Sequence, residues 1–435
     1  MTALRIAIIG AGPAGCTLAR LLSLSPVPID VTVFEGEASI DFRDQGGTLD
    51  LHTATGLAAL KEAGLWDKFL AHARYEGESL LFTDKDLKIY FQIKPSKPDG
   101  SKVGGQRPEI DRADLRRILL ESLPEGIVRW GRRLRRVEAG DGDGGTSAVS
   151  LVFDDEIVSG FDLVVGADGA WSKVRPLLRD EQPAFAGVGA HGLTIVDAAR
   201  AAPEVHATVR GGSVFAHADG VRLALQQLGD GSVGIHASMR KESADWAQTC
   251  GYDVGSLAAV KEALLGEGGP LAGWHPTFRE AVAKADGRCE ARSLYMLPVG
   301  FSWPHRRGAT LVGDAAHLMT PFAGEGVNLA MDDARRLAGA IIGAAEAVKR
   351  DGKKDLTAEL DGAVEAFEKD MFTRAAKVAK LTDDLRKLWM FTPDVPDSVI
   401  VDAMTLHVKF SSPAIVHPFV AAAVHGYFFV QKFLR

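Results

Sequence analysis

Short apolar runs separated by turn residues mark the strands at the start of the chain. Residues 4–10 (LRIAIIG) form one such run, and residues 30–35 (DVTVFE) form a second. Between them, the spacing of apolar residues from Pro13 to about Ser25 predicts an amphipathic helix. A strand, a helix and a second strand in this order are typical of a unit with parallel strands. The opening segment therefore predicts an α/β fold.

Two further apolar runs predict buried strands that belong with the first two. They are FDLVVGAD (161–168) and the start of ATLVGDAAH (309–317), and a long helix is predicted to follow from about Val327. Runs of this kind, without polar alternation, are typical of parallel strands that are covered on both faces. Shorter elements are predicted as helices at 58–63, 65–73 and 113–123, and as strands near 127–137 and 147–153.

The pattern changes between about residues 185 and 300, where apolar and polar residues alternate. Runs such as 221–225 and 232–238 predict strands with one solvated face, and one helical stretch is predicted near 256–265. From about residue 355 the helical period dominates. The middle of the chain is therefore predicted to form a separate sheet, followed by C-terminal helices.

Composition and charge exclude several classes of protein. The formal net charge of −7 argues against a nucleic-acid-binding protein, which would need an excess of Lys and Arg to neutralise phosphates. Three scattered cysteines predict neither a disulfide framework nor a zinc site, and they fit a reducing compartment. The short apolar run at the N-terminus resembles a strand more than a signal peptide. We therefore expect a cytoplasmic protein.

The end of the chain is apolar but interrupted. In the segment from Pro413 to Arg435, the polar and helix-breaking residues are His417, Pro418, His425 and Gly426. The segment barely reaches the length of a membrane-spanning helix. The sequence favours a helix docked on the protein, or on the second subunit of a possible homodimer, over a membrane anchor.

The turn after the first strand carries a nucleotide-binding pattern. Residues 10–15 (GAGPAG) fit Gly-x-Gly-x-x-Gly, and Glu35 ends the second strand. The first glycine permits a tight turn, the second lets the backbone approach a pyrophosphate, and the third lets helix and strand pack closely. The helix N-terminus attracts phosphate, and the glutamate can accept from ribose hydroxyls. This pattern leaves NAD and FAD both open and predicts contacts at Gly10, Gly12, Ala14, Gly15 and Glu35.

A second motif, GDAAHLMTPFAGEGVN (313–328), favours FAD. Asp314 follows a strand and lies at the carboxyl edge of the sheet, where it can hold ribityl hydroxyls. The glycine-rich loop lets the backbone approach a flat ring, and the next helix points its N–H groups at the negative charge of a reduced flavin. A strand–helix connection capped by Asp314 is the alternative. The predicted contacts are Asp314, Pro321, Gly324, Gly326, Val327 and Asn328.

Together with a third segment, GADGAWSKVR (166–175), these motifs resemble the group A flavoprotein monooxygenases, the aromatic hydroxylases related to p-hydroxybenzoate hydroxylase. In that family the Asp-Gly pair, here Asp168 and Gly169, serves FAD and the pyridine nucleotide. GGTLDLH (46–52) and PEIDRADLR (108–116) are also similar to the tetracycline-inactivating flavin monooxygenases. That resemblance implies contacts of Arg43 with NADPH and of Asp50 and Arg112 with FAD.

The arginines also have a direct physical interpretation. Arg116 follows Arg112 by one helical turn, so the pair can bring guanidinium charge to a pyrophosphate. A solvated helix face remains the alternative for this pair, and a surface loop for Arg43. One departure is Gly36, where the family commonly has Arg after the glutamate. The resemblance fades in residues 185–300, where the substrate would bind.

These observations predict an α/β protein with a Rossmann-like FAD-binding domain, an inserted β-sheet substrate domain and C-terminal helices. The predicted boundaries are 1–75, 105–184 and 300–350 for the FAD-binding domain, 76–104 and 185–299 for the substrate domain, and 351–435 for the helical region.

The chemistry that the resemblance implies is oxygen transfer. NADPH reduces FAD, O₂ is captured at flavin C4a, and the hydroperoxyflavin passes its distal oxygen to an aromatic or polycyclic small molecule, such as a natural product or a tetracycline antibiotic. Hydroxylation, epoxidation and Baeyer–Villiger insertion remain open, as does NADH in place of NADPH. Another flavin oxidoreductase (an oxidase, a reductase or a halogenase) and a non-catalytic flavin protein are the alternatives.

Two histidines of the predicted second sheet are candidates for assisting this chemistry. His217 and His236 can polarise a phenol, although a histidine in such a sheet is more often a hydrogen-bonded structural residue. No spacing of His and Cys predicts a metal site. The catalytic residues therefore remain unknown at this stage.

Overall fold

The fold is described from a computed structural model that covers residues 3–41, 46–95, 106–139 and 149–434. Most strands lie in two large sheets, and two small sheets complete the set. The strands of these residues are β1 (Leu4–Ile9), β2 (Ile29–Phe34), β3 (Thr48–Asp50), β4 (Leu80–Asp84), β5 (Ile89–Ile93), β6 (Glu109–Asp111), β7 (Val128–Arg129), β8 (Arg136–Ala139), β9 (Val149–Val152), β10 (Ile157–Val158), β11 (Leu163–Gly166), β12 (Ala184–Ile195), β13 (Ser213–Ala218), β14 (Val221–Gln227), β15 (Val233–Arg240), β16 (Cys289–Met296) and β17 (Ala309–Leu311).

The helices range from single turns to one helix of 36 residues. Over the described ranges they are α1 (Pro13–Ser23), α2 (Gly56–Glu62), α3 (Trp66–Leu70), α4 (Arg112–Glu121), α5 (Arg175–Leu178), α6 (Ala198–Ala201), α7 (Pro203–Val209), α8 (Trp246–Thr249), α9 (Leu257–Leu265), α10 (Pro276–Lys284), α11 (Asp314–His317), α12 (Gly326–Arg350), α13 (Leu356–Phe391), α14 (Ile400–Phe410) and α15 (His417–Leu434).

The chain divides into two compact units. Unit 1 contains residues 1–73, 110–184 and 295–380, and unit 2 contains residues 74–109, 185–294 and 381–435. The region predicted as separate C-terminal helices, residues 351–435, is thus shared between the two units.

Unit 1 is built on a parallel five-stranded sheet with the strand order β17-β11-β1-β2-β7. The residues of β11 and β17 are all buried, as are all but one in β1, which is why these segments are near-continuous apolar runs in the sequence. The long helix α12 packs against α1 and α2. The predicted Rossmann-like fold of this part of the chain is confirmed.

Unit 2 contains a seven-stranded sheet with the order β16-β12-β15-β14-β13-β4-β5. All of its pairs that we describe are antiparallel except β4 with β13, which is parallel. One face packs against helices, with Val214, Leu223 and Ile235 in that core. The second sheet domain predicted from the alternating pattern is therefore confirmed.

The helix content between residues 185 and 300 was underestimated. Besides α9, close to the predicted 256–265, the structure has α7 and α10 in this region. Both begin with a proline in their first turn, and they have only 7 and 9 residues. Helices this short offer few positions at which an apolar period can show, although α9, which has nine residues like α10, was predicted.

Candidate functional site

Four of the predicted cofactor segments leave the unit 1 sheet from the same row of residues. Ile9 of β1 is paired with Phe34 of β2 and with Gly166 of β11, and Gly166 is paired with Leu311 of β17. Gly10, Glu35, Asp168 and Asp314 follow that row by one, one, two and three residues, respectively. Because the strands are parallel, all four lie at the carboxyl edge of the sheet, where open α/β sheets bind ligands.

The glycine turn after β1 is fixed by close backbone packing. Gly10 has φ +104°, and a Cβ there would lie 2.4 Å from the carbonyl oxygen of Ala167. A Cβ on Gly15 would lie 2.0 Å from the carbonyl oxygen of Gly10. Gly12 caps α1 and differs, since a Cβ there would have no described atom within 4 Å. The turn thus leaves open space in front of the N–H groups of α1, as a pyrophosphate site requires.

Glu35 holds this turn from the neighbouring strand. Its Oε2 accepts a hydrogen bond from the Ala11 N–H at 2.7 Å, and its Oε1 accepts from the Glu37 N–H at 2.9 Å. The following Gly36 is not required sterically, because a Cβ there would approach Arg133 no closer than 3.5 Å. Glu35 therefore has a positioning role in the structure, and its contact with ribose remains a prediction.

The two arginines of α4 have different environments. Arg116 is only 5% exposed, and its guanidinium donates to the Glu37 carboxylate. Arg112 is exposed at the first turn of α4, and its backbone N–H donates to the Gly47 carbonyl at 3.0 Å. The alternative of a solvated helix face is therefore wrong for Arg116. Arg43 lies outside the described residues.

The Asp314 turn is strained in a way that only glycine tolerates. Gly313 has φ +61°, and a Cβ there would meet the side chains of Ala330 at 3.1 Å and of Ala14 at 3.4 Å. Ala14, a predicted cofactor contact, is buried against this turn. Desolvation raises the pKa of Asp314, although its side chain is exposed, and the charges of His317 and Arg112 oppose that rise. Arg112 and Asp314 therefore lie within electrostatic range of each other, although 202 residues separate them in the sequence.

A second network fixes the Asp314 turn from behind, and sequence reasoning missed it. Asp333 of α12 is fully buried. Its Oδ2 accepts from the Gly313 N–H at 3.3 Å and contacts Nε2 of His317, while its Oδ1 accepts from Arg374 at 3.0 Å. His317 therefore lies in this buried network. Two adjacent acidic residues within a largely apolar helix segment (NLAMDDA) were the available signal.

The loop before α12 is held to the segment around β3. Asn328 is fully buried, its Oδ1 accepts from the His52 N–H at 2.7 Å, and its Nδ2 donates to the Asp50 carbonyl at 2.8 Å. Gly324 has φ +69°, and a Cβ there would lie 3.5 Å from the Asp50 carboxylate. Asn328 thus positions two predicted contact segments. Of its neighbours in the motif, Pro321 is exposed, and Gly326 and Val327 form the partly exposed first turn of α12.

A charged histidine reinforces this connection. His52 Nε2 lies 3.0 Å from the Asp50 carboxylate, and its Nδ1 lies 3.2 Å from the Glu325 carboxylate. Burial lowers the pKa of His52, but the hydrogen bonds and charges of Asp50 and Glu325 outweigh it and raise the pKa to about 9. The imidazolium therefore links β3 to the residue that precedes α12 at neutral pH. Of these three residues, only Asp50 was predicted from the sequence to contact the cofactor.

The Asp-Gly motif after β11 offers an unused acceptor. Asp168 Oδ2 accepts from the Lys173 N–H at 2.7 Å, whereas its buried Oδ1 has no hydrogen-bond partner among the described residues. Burial raises the pKa of Asp168, against hydrogen bonds from Ser172 and from backbone N–H groups. Arg175, only 1% exposed, joins this motif to the next by donating to the carbonyls of Ala170 at 2.7 Å and Ala315 at 3.1 Å.

In unit 2 the two candidate histidines lie on the sheet face opposite the helix-packed core. His217 is 1% exposed and stacks on Trp389 at 4.3 Å and on Phe82 at 5.9 Å between ring centroids. Burial and the nearby Arg222 lower the pKa of His217 well below its usual value. His236 on β15 is exposed. Sequence reasoning missed Trp389, which lies more than 170 residues away in α13.

The described residues show neither a metal site nor a membrane-spanning helix. They contain no group of three or more His, Cys, Asp and Glu residues arranged to hold a metal ion. None of the helices within them combines the length and apolarity needed to span a bilayer.

Known proteins match this chain over the segments that form the candidate site. The profile of the family described as "FAD binding domain" matches residues 3–252 and 304–359. The monooxygenase penA of Penicillium thymicola is 32% identical over 418 residues, which cover 87% of this chain and 93% of that protein. The 3-amino-4-hydroxybenzoate 2-monooxygenase PtnB3 of Streptomyces platensis is 32% identical over 345 residues, which cover 79% and 80%.

Solved structures share the fold at lower identity. Klebsiella pneumoniae HpxO complexed with FAD and uric acid superimposes with a TM-score of 0.70 at 19% identity, covering 97% of this chain and 96% of HpxO. The tetracycline destructase Tet(55) superimposes with a TM-score of 0.66 at 17% identity, covering 94% and 97%. At these identities the likeness establishes the fold alone.

Proposed function

The chain belongs to the FAD binding domain family and is an FAD-dependent monooxygenase; we propose that it uses NAD(P)H and O₂ to hydroxylate or epoxidise an aromatic or polycyclic small molecule. The resemblance inferred from the motifs, and the choice of FAD over NAD, are thereby confirmed.

The main support for the proposed FAD site is the common row of strand ends in unit 1. It brings the glycine turn, Glu35, Asp168 and Asp314 to one edge of the sheet. The open space at Gly12 and the unused Oδ1 of Asp168 fit an elongated ligand with phosphate and hydroxyl groups. These residues therefore fit FAD.

Each segment would meet a different part of FAD. The N–H groups of α1 would bind the pyrophosphate, and Asp314 would accept from ribityl hydroxyls or their neighbours. The start of α12 would direct its positive end at the electron-rich edge of the ring, with Gly324 allowing close approach. When bound, the flavin supplies the transfer of electrons from the nicotinamide and of one oxygen atom from O₂ to the substrate.

The source of electrons is proposed as NAD(P)H without a domain of its own. A second Gly-x-Gly-x-x-Gly between a strand and a helix is missing from the sequence, which supports transient docking of the nicotinamide on the flavin domain. Arg43 and Asp168 are the residues proposed to serve that docking.

The substrate class is proposed from unit 2 and from the relatives. The sheet face opposite the helix-packed core combines Phe82 and Phe215 with polar residues such as Gln226 and His236. Aromatic walls with a few polar groups suit a flat substrate that carries oxygen or nitrogen. PtnB3, a relative, acts on an aminohydroxybenzoate. A tetracycline is a further candidate substrate.

The experiment that tests this proposal is anaerobic reduction followed by exposure to oxygen. NADPH and NADH are added separately to the FAD-loaded protein with phenols, indoles or tetracyclines, and the oxidised-flavin absorbance is followed. We expect one substrate to accelerate bleaching and to gain one ¹⁸O atom from ¹⁸O₂. If neither nucleotide bleaches the flavin with any substrate, the dependence on NAD(P)H is wrong.

A further inference from the structure

The C-terminal helices carry the densest exposed apolar surface of the described residues. Large apolar side chains that are exposed fall repeatedly between residues 408 and 427, and beyond Thr405 no side chain that we describe is buried. We call this set the tail patch: Val408, Phe410, Ile415, Val416, Phe419 and Tyr427. Ile415 and Phe419 are 83% and 76% exposed. A concentrated apolar patch of this kind marks an interaction surface.

The charge of the same segment is one-sided. After Asp402 the sequence contains no acidic residue, although the whole chain has a net charge of −7. The charged and titratable residues that follow are all basic: His407, Lys409, His417, His425, Lys432 and Arg435. The partner that fits this segment therefore presents negative charge beside apolar material.

We propose that α14 and α15 bind the surface of an anionic lipid bilayer, with the tail patch in the acyl boundary and the basic residues at the headgroups. Exposed apolar side chains combined with a few cations are found in helices that bind the bilayer interface. His417, Pro418, His425 and Gly426 interrupt the apolar run of α15, which favours a position along the surface over one across the bilayer.

A second copy of the chain fits the same surface less well. Most homodimers are two-fold symmetric, so that the same patch of each subunit meets at the interface. Two tail segments without acidic residues would then face each other with like charges, which disfavours the pairing. An anionic bilayer has the opposite charge and covers the apolar side chains as well.

The test is sedimentation of the full FAD-loaded chain with vesicles. We expect the protein to pellet with phosphatidylserine–phosphatidylcholine vesicles, and to pellet less with phosphatidylcholine alone or at high salt. The double variant Ile415→Ser/Phe419→Ser is expected to bind at least about tenfold more weakly, because two apolar anchors are lost. Lys409→Glu is expected to weaken binding to the anionic vesicles only.

The matched control is Ile157→Ser, which removes a side chain that is 65% exposed in unit 1. It should leave vesicle binding unchanged, and retained FAD absorbance checks that each variant is folded. The proposal is overturned if the wild-type protein stays in the supernatant with both vesicle types. It is also overturned if light scattering shows a dimer that the double variant abolishes while vesicle binding is absent.

Discussion

The two units of this monooxygenase place their candidate functional groups in different ways. In unit 1 they follow the ends of adjacent parallel strands, and the backbone itself forms much of the site, as at Gly10 and Gly15. In unit 2 they lie on one face of a largely antiparallel sheet, as His217 and His236 do, and side chains alone define the surface.

This difference determines what each unit tolerates. A backbone carbonyl 2.0 Å from a hypothetical Cβ cannot move aside, so position 15 requires glycine. A sheet face can exchange one side chain for another while the ladder of hydrogen bonds remains. Binding of a common cofactor therefore leaves a motif in the sequence, whereas substrate choice leaves none.

The largest expected effect concerns the backbone packing around the glycine turn of unit 1. Gly15→Ala should destabilise the fold by about 3 kcal/mol or more and abolish FAD binding, because the new Cβ would overlap the Gly10 carbonyl. Gly12→Ala should fold normally and still lose FAD, since its Cβ enters the open space before α1. Thermal unfolding and flavin content measure the two effects. If Gly15→Ala folds and binds FAD, the packing argument is wrong.

Asp333→Asn should have the next largest effect on stability. The substitution removes the charge that pairs with Arg374 and His317 in a buried site, at a cost of about 3 kcal/mol. It should also raise the dissociation constant of FAD, because the single side-chain oxygen of asparagine cannot accept from both Gly313, beside Asp314, and Arg374. Denaturant unfolding and FAD titration are the measurements. The control is Arg336→Gln, on the exposed side of α12. An equal loss of stability and of FAD affinity in this variant would contradict the special role of Asp333.

Asp314→Asn should separate binding from folding. We expect the dissociation constant of FAD to rise about tenfold to a hundredfold, since a charge-assisted hydrogen bond is replaced by a neutral one. The melting temperature of the protein without FAD should remain the same, because the Asp314 side chain is exposed. Normal FAD content in this variant would contradict the proposed place of the ribityl chain.

Substitutions of the two candidate histidines of unit 2 are expected to have different effects. His217→Ala should cost about 2 kcal/mol or more, because it opens the stack with Trp389 and Phe82. His236→Ala should leave the melting temperature unchanged and alter KM or kcat for the substrate. Calorimetry and steady-state kinetics separate the outcomes. A stable His217→Ala variant would show that the stack contributes little to unit 2.

The smallest effect is a pH dependence of opposite sign in the two units. The pKa of His52 is raised, so His52 adds to the free energy of unfolding below about pH 6.5. This stabilisation, about 2 kcal/mol, is lost as the pH rises towards about 9. His191, which bonds to the Tyr252 hydroxyl at 2.9 Å, has its pKa lowered to about 4 by burial and by Lys241. Its contribution is lost as the pH falls from about 6.5 towards 4.

Denaturant unfolding across this pH range checks both statements. His52→Gln should reduce the loss of unfolding free energy between about pH 6.5 and 9, and it should leave the loss at acidic pH unchanged. His191→Gln should do the reverse. If His52→Gln leaves the alkaline side as steep as in the wild type, the link between Asp50, His52 and Glu325 contributes no measurable stability.

Sequence reasoning identified the residues whose type is dictated by local backbone geometry. The glycine turn and Gly324 carry positive φ angles or close contacts, and such positions are visible as fixed spacings in the chain. It did not identify Asp333, Arg175 or Trp389. Each of these acts through partners distant in sequence, such as Ala315 for Arg175 and His217 for Trp389, and no local spacing reports such a contact.

By itself, then, the sequence determined the fold class, the family and the cofactor, because strand–turn–helix geometry imposes residue types at fixed intervals. Only the tertiary structure decided which charged groups support that geometry and which histidine is buried. Burial, pKa and hydrogen-bond partners depend on segments that meet after folding. Arg112 and Arg116 illustrate the point: one helical turn separates them, yet one is exposed near Asp314 and the other is buried against Glu37.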